Sequence, residues 1–329
     1  MASAIYPTRV SSRPVDDILS DIAAVAMNPP KNFVGTRILP PTPFGVAAKT
    51  GVIIRAAIAA AFGDGSTSLR RAPGASFATS SGSKLENVTY IAEQYAFQTS
   101  IPDETRRDAQ LDLWKFELGI AASLMAIERE RTLLDFLSTA ATWTESFTAG
   151  TAWTAAGSDP VADLATAQSA IDKYGPSPNT IVLGYAAFDA MRRNASYLSF
   201  ANSSSERQIA STNEVLTNLA NKFDVPVDRV FLAKASKNTA NAGAEAVLAR
   251  IMGGRAWLGY IELGEGTSVT IDGQSVNTVA TAALRLPVQA LEVEQFRDAN
   301  LRSEVANLTF EEAIVAVNPQ LGCLISGCA

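Results

Sequence analysis

Between positions 103 and 140, apolar residues recur at steps of three and four: Leu113, Phe116, Ile120, Leu124, Ile127, Leu134 and Leu137, with one gap at Arg131. That period predicts a long amphipathic helix. Pro102 and Asp103 suit its start, and Asp103 and Glu104 sit well at the positive end of the helix dipole. The opposite face carries Glu117, Glu128, Glu130 and Asp135 and is expected to be solvated. At 1.5 Å per residue, roughly 36 residues make a rod of about 54 Å. The mean globular helix is only about 11–12 residues long.

The stretch before this helix follows different rules. Residues 1–45 read as an arm. Asp16 to Met27 places Ile18, Ile22, Val25 and Ala26 at helical spacing, which predicts a short amphipathic helix. NPPKNFVGTRILPPTPFG follows, with five prolines from Pro29 to Pro43. Proline fixes φ and lacks an amide donor, so this stretch is expected to be extended and to need another surface to lie on. Residues 46–102 form a second unit. GVIIRAAIAAAF predicts a strand, GDGSTSLRRAPGASFATSSGSKLEN a turn-rich tip, and VTYIAEQYAFQTSIP a return strand with Ile91, Tyr95, Phe97 and Ile101 on one side. A bare two-stranded ribbon is marginal in water, so something outside it must hold it.

Beyond the long helix the pattern shortens. A Thr/Trp/Gly loop over 141–158 leads to a helix opened by Asp159-Pro160 and stopped at Gly175. Thr180 to Leu183 predicts a buried strand, followed by a helix bearing Phe188 and Met191. Residues 209–223 predict another helix. Val230–Ala233, Arg255–Leu263 and Ser268–Asp272 predict strands. Alternation returns at Arg285–Phe296 and Ala313–Val317, with Pro319 and Gly322 closing the pattern. The units are thus 1–45, 46–102, 103–174, 175–284 and 285–329, and no repeat of 20–50 residues is visible.

Charge is uneven along the 329 residues, whose net charge is −6. Residues 1–72 hold eight basic groups (Arg9, Arg13, Lys31, Arg37, Lys49, Arg55, Arg70, Arg71) and four acidic ones (Asp16, Asp17, Asp21, Asp64), a balance of +4 against −10 for the rest. A basic front and an acidic body suit copies of one chain meeting front to body. No dense basic patch interleaved with aromatics appears, so specific nucleic-acid binding is not expected. The longest apolar run, Gly119–Ile127, is far short of the roughly 18 residues needed to span a bilayer. The first residues lack the pattern of a secretory signal.

Histidine is absent. This excludes a Ser-His-Asp triad, a Cys-His dyad, a histidine-ligated metal and a histidine proton shuttle. Cys323 and Cys328 are too few for a four-thiolate zinc site and are read as two reduced thiols. No Walker A pattern occurs, and Gly63-Asp64-Gly65 lacks the third glycine of a dinucleotide fingerprint. The pairs Asp16-Asp17, Glu128/Glu130 and Glu311-Glu312 read as structural: adjacent carboxylates on a strand point to opposite faces, and Glu128/Glu130 lie on the helix face expected to be solvated. Ser83-Lys84 and Lys234/Ser236 stand at no strand-to-helix turn that would expose a nucleophile. The sequons at Asn87, Asn194, Asn202 and Asn307 are chance matches without secretion. The four tryptophans read as core or interface anchors. No catalytic residue, cofactor site or metal site emerges.

The order of parts carries a resemblance. NFVGTRILPP (32–41), RRAPGASF (70–77), YIAEQYAFQTSIPDE (90–104), PNTIVLGYAAFDAMRRN (178–194), VFLAKASKNTANAG (230–243) and GGRAWLGYI (253–261) follow one another as do stretches of the major capsid proteins of tailed double-stranded-DNA bacteriophages, the HK97 fold. The chain resembles that family over essentially its whole length. The resemblance implies an α+β fold with an N-terminal arm, an extended E-loop, a peripheral domain with a long spine helix and sheet, and an axial α/β domain. It implies a non-enzymatic shell protein without cofactor, assembling with itself as hexamers and pentamers into an icosahedral or prolate shell around double-stranded DNA. The DNA is not gripped specifically. Further implied partners are a portal and separate scaffolding or decoration proteins, with no membrane; any scaffolding segment is expected to be a separate protein or one already removed. The implied location is the virion, with the host cytoplasm during assembly. Candidate inter-subunit contacts are Arg37, Arg55, Arg70, Arg71, Phe77, Lys84, Tyr90 and Trp257. Some members cross-link through a lysine in the E-loop. Lys84 lies in the loop, but no catalytic carboxylate matches, and the chemistry is not carried over.

Two other readings stand beside this one: an encapsulin, the cellular compartment shell built on the same fold, and a histidine-free enzyme. Deleting Ser66–Lys84 is expected to leave a folded body while blocking or misdirecting assembly. Size exclusion and negative-stain microscopy check this, and normal particles from the deletion variant would remove the loop's assigned role.

Overall fold

The computed structural model describes residues 33–42, 48–56, 85–108, 113–201, 211–240, 245, 247–262, 268–271, 274–277 and 281–329. Residues 35–38 form a single helical turn, α1 (Gly35–Ile38). The ribbon pairs β1 (Thr50–Ala56) with β2 (Leu85–Ile91), antiparallel from Thr50↔Ile91 to Ala56↔Leu85. The return strand expected from the alternation is two strands. After a break at Ala92 the chain re-enters as β3 (Glu93–Pro102), which belongs to a different sheet. The predicted ribbon tip and the predicted helix at Asp16–Met27 lie outside the described residues.

The long helix is described as α2 (Asp103–Asp108) and α3 (Leu113–Leu137). α3 alone runs about 37 Å at 1.5 Å per residue. It packs on a three-stranded antiparallel sheet ordered β12 (Ala283–Asp298), β13 (Ser303–Ala316), β3. Here the sequence expectation needs correcting. The face on the sheet is not the large apolar stripe; it is Leu118, Ala121, Ala122, Met125 and Ala126, clustered with Val293, Ala306, Leu308 and Phe310. Small residues let the helix axis approach the sheet, and they lose surface without registering as strongly hydrophobic. Phe116, Ile120 and Leu124 remain exposed.

β12 reaches its partner through two one-residue bulges, between Pro287 and Gln289 and between Gln289 and Glu292. Two bulges restore the alternation, so one face of the sheet stays continuous. The helix covers that face. The other face, through Leu284, Leu286, Ala313, Val315 and Val317, receives Tyr90, with Ile53, Val88 and Ala92 of the ribbon base. The ribbon base is therefore held by its own chain.

The second body is a five-stranded mixed sheet ordered β4 (Glu145–Thr148), β14 (Gly322–Ser326), β9 (Ala256–Gly259), β5 (Thr180–Gly184), β6 (Val230–Ala233). β5 and β9 are buried along their whole length, as expected of central strands, and so is the edge strand β6. α4 (Pro160–Asp172), α5 (Tyr185–Arg193), α6 (Ala195–Ala201) and α7 (Thr212–Phe223) pack around it. Asp159 caps α4 by accepting from the amides of Val161 and Ala162, and Ser211 with Glu214 forms a capping box on α7. β4 and α4, grouped by the sequence with the long helix, join this body instead. β14 was not foreseen: Pro319 and Gly322 read as the end of the pattern, yet Gly322–Ser326 runs parallel to β4 and antiparallel to β9. Two small hairpins, β7 (Ser236–Asn238) with β8 (Leu248–Arg250) and β10 (Ser268–Ile271) with β11 (Gln274–Asn277), complete the described strands. Among the described residues, no helix is long and apolar enough to cross a membrane.

Trp143 joins the two bodies. Its indole N–H donates to Leu137 O at the end of α3 (3.0 Å), and its ring lies 5.2 Å from that of Trp257. The ring sits directly over Gly322, where a Cβ would press into it. Gly322→Ala is expected to destabilise the body by about 1–3 kcal/mol, the usual cost of overpacking a core. Urea unfolding followed by tryptophan fluorescence checks it; an unchanged midpoint would mean the ring is not seated there.

Candidate functional site

Three segments pack on the two bodies, and each is pinned by a charged group. The first is the arm end. Glu130 of α3 accepts hydrogen bonds from the amides of Val34 (2.9 Å) and Gly35 (2.7 Å). It thereby satisfies donors that the start of α1 would leave open. Val34, Ile38 and Leu39 join Leu133, Leu134 and Leu137 in the main core. Gly35 is required by this approach, since a Cβ there would stand 2.6 Å from Glu130 Oε2 and 3.0 Å from Leu133. The amide of Thr42 then donates to Arg285 O, and Pro41 bridges to the same residue. The surface that this stretch was expected to need is, for residues 33–42, its own chain, and the extended form expected of it is interrupted by the turn at Gly35–Ile38. Glu130, read as solvated, is buried.

The second is the ribbon. Arg55 bonds Glu86 across it (2.7 Å) and reaches Val317 O and Asn318 Oδ1 on the body. Lys49 pairs with Glu311 at 2.7 Å. Tyr90 packs its ring against Gly51, where a Cβ would come within 2.5 Å of the hydroxyl. On the outer face of the ribbon base Val52 and Ile91 are 52% and 72% exposed, among Thr50, Asn87 and Thr89.

The third is the long helix itself. Glu312 accepts from Arg285 (Nε 3.0 Å, Nη2 2.9 Å) and pairs with Arg129 at 3.2 Å. The Arg129 guanidinium lies 4.2 Å from the Phe310 ring centre, and Tyr95 stacks on that ring at 4.8 Å. Burial lowers the Arg129 pKa to about 10 against the pull of Glu312. Burial likewise raises Tyr95 to about 12. Both groups keep their ordinary charge at neutral pH.

The candidate contacts read from the sequence divide on this geometry. Arg37 is exposed, its guanidinium 5.2 Å from the Phe231 ring centre. Arg70, Arg71, Phe77 and Lys84 lie outside the described residues. Arg55, Tyr90 and Trp257 are corrected: each is engaged within the chain, Arg55 by ion pair and carbonyl, Tyr90 under the ribbon and Trp257 fully inside the core. The reading missed Glu130, Arg129 and Arg285, whose roles depend on partners far away in sequence. It was right that Glu311 and Glu312 point to opposite faces. Cys323 and Cys328 are free thiols, buried, and raised by that burial to about 12.

A family model described as phage major capsid protein E matches residues 133–242. No curated protein matches the chain. Among solved structures, a phage-related protein from Bordetella bronchiseptica RB50 aligns over 97% of this chain and 99% of its own, with TM-score 0.69 and 20% identity. The capsid of Myoviridae phage XM1 aligns over 99% and 96%, with TM-score 0.52 and 12% identity. A virus-like particle from Pyrococcus furiosus aligns over 94% and 98%, with TM-score 0.53 and 9% identity. These likenesses show the fold: the chain has the HK97-like fold seen in phage capsid structures. The resemblance to tailed-phage major capsid proteins is borne out at the level of the fold, with a capsid-protein family model matching one third of the chain.

Glu130 yields a pH test. Burial raises its pKa, partly offset by the two amides it accepts from. The folded value lies above the unfolded one of about 4.3, so its favourable contribution is present below that pH and lost as pH rises through the raised value. Wild type is therefore expected to lose stability relative to Glu130→Gln as pH rises from about 4 to 7. Paired urea melts check this, and a difference independent of pH would contradict a raised carboxyl.

Proposed function

We propose that the chain is the subunit of a closed phage shell that encloses double-stranded DNA. The carrying observation is that the capsid fold runs end to end, at 97–99% of both chains for the phage-related neighbour, including a ribbon on whose outer face Val52 and Ile91 are exposed. In a closed array of copies, burying Val52 and Ile91 on a neighbour contributes about 25 cal/mol per Å² of apolar area, less the ordering cost. Arg37 and the tip residues Arg70, Arg71, Phe77 and Lys84 remain contact candidates of this kind. The chain's acidic balance supports a lining that does not hold DNA tightly, which suits a packaged genome that must leave again. The role is structural rather than catalytic. Portal, scaffolding and decoration proteins are the expected further partners.

A second reading, a cellular compartment shell, is favoured by the Pyrococcus virus-like particle. The two readings differ in contents: packaged DNA in one, captured protein in the other.

Expression alone tests the common part. Hollow particles tens of nanometres across, seen by negative stain, are expected; a stable monomer or dimer would overturn the shell. Val52→Asp with Ile91→Asp is expected to abolish particles while shifting the stability of the body by no more than about 0.5 kcal/mol, as surface changes do. Normal particles from that variant would remove the ribbon base from the interface.

A further inference from the structure

In the five-stranded body β4, β14, β5 and β6 run parallel to one another, and β9 runs against them. The C-terminal ends of those four strands therefore share one end of the body. The β7–β8 hairpin follows β6 and leaves from that end. It exposes Leu248 (73%) and Val247 (58%), with Glu245 exposed beside them. Arg250 lies on the same side of β8 as Leu248, two residues on. Its guanidinium sits 4.7 Å from the ring centre of Tyr185, the first residue of α5, and donates to Lys234 O. At the same end a cavity of about 680 Å³ opens between α5, the 153–158 loop and Ala329. That is within the roughly 300–1,000 Å³ of ligand pockets. Its walls are mostly small, with Ala155, Ala156, Ala186 and Ala190 among them. Most of its polar groups are engaged within the chain. Asp189 pairs with Arg192 (2.5 Å) and Arg193 (3.1 Å). Asn194 accepts from the amides of Ser196 and Tyr197 and donates to Trp153 O and Ser158 Oγ, while the Ser158 hydroxyl donates to Ala155 O. What the cavity offers a visitor is apolar wall and a positive rim, where two arginines outweigh one aspartate and Arg193 is exposed.

Given the shell subunit proposed for this chain, we infer that Leu248 and Val247 of one copy seat in this cavity of the next copy, with Glu245 meeting Arg193. Leu248 does not fill the cavity of its own chain, since it stays exposed there. A cavity so poor in open hydrogen-bonding groups suits an aliphatic knob better than a polar small molecule. The signs match as well: an acidic residue flanks the knob and a basic one flanks the hole. Knob and hole are different surfaces of one chain, so the contact is heterologous, and it closes into a ring when the rotation between copies divides a full turn. Both surfaces lie at one end of the body, so copies set around an axis beyond that end bring each hairpin to the next cavity.

The test mixes two full-length chains, one carrying Leu248→Cys and the other Ala156→Cys, lets them assemble together and oxidises them mildly. Cys323 and Cys328 are buried and do not compete. A disulfide between unlike chains is expected, forming at least about tenfold faster than any disulfide in either chain alone, because the interface holds the two thiols at high effective concentration. Equal cross-linking in the Leu248→Cys chain alone would put hairpin against hairpin, and particles that form without the mixed disulfide would leave the cavity unoccupied by a hairpin. Either result overturns this inference and leaves the shell standing. Absence of particles from the unsubstituted chain overturns the shell and this contact together. Charge reversal gives a second reading. Arg193→Glu and Glu245→Arg are each expected to raise the protein concentration needed for particles about tenfold, and the double reversal to bring it back to within about twofold of the unsubstituted chain. Recovery in the double variant shows that neither single change acts by misfolding. Single reversals without effect, or a double variant no better than the singles, would overturn the pairing of Glu245 with Arg193 and with it the proposed seat.

Discussion

Consecutive side chains on a strand point to opposite faces, and at Glu311 and Glu312 this alternation fastens two different elements. Glu311 turns toward the ribbon and pairs with Lys49. Glu312 turns toward the long helix and pairs with Arg129 and Arg285. Both carboxylates are buried, so each depends on its cation; removing one partner of a buried pair typically costs about 3–5 kcal/mol. The middle strand of a thin sheet thus carries the ribbon on one side and the helix on the other. Neither has a core of its own, and the sheet has too few strands to supply one without both. Arg285 adds a third attachment, since its carbonyl receives the amide of Thr42 from the arm.

Much of this was readable from residue spacing. The helices after Asp159 and Ser211 and the buried strands at 180–184 and 230–233 follow from caps and apolar runs, which are local signals. What escaped depends on distant partners. Glu130 sits in a row of charges, and only two amides nearly a hundred residues earlier make it an internal acceptor. The helix presents two apolar faces, and spacing alone selects the bulkier; the sheet selects the face with alanines because it must lie close. β14 is a five-residue strand behind a proline and a glycine, without alternation because both its sides are covered. Of the candidate contacts, the tip residues rest on sequence alone, while Arg55, Tyr90 and Trp257 are apolar or charged for reasons internal to the chain.

The division into two bodies suits the place in a curved, repetitive surface that is proposed for this chain. The five-stranded body is densely packed, with Trp153 and Trp257 fully enclosed. The three-stranded body is thin and relies on clamps of charge at its margins. Ribbon, arm and helix all reach the thin body, and the arm end and the last turns of the helix also enter the core of the thick one. Adjustment between neighbouring copies in a shell would fall on the ribbon and the sheet that holds it, where bulges already relax the register.

The two thiols have a practical meaning. With Cys323 and Cys328 enclosed in the thick body and held protonated, reagents in the surrounding solution meet no nucleophilic sulfur while that body stays shut. Alkylation of either thiol in the native chain therefore reports that the block has come apart, which gives the molecule an internal alarm for breathing motions that leave its outline unchanged.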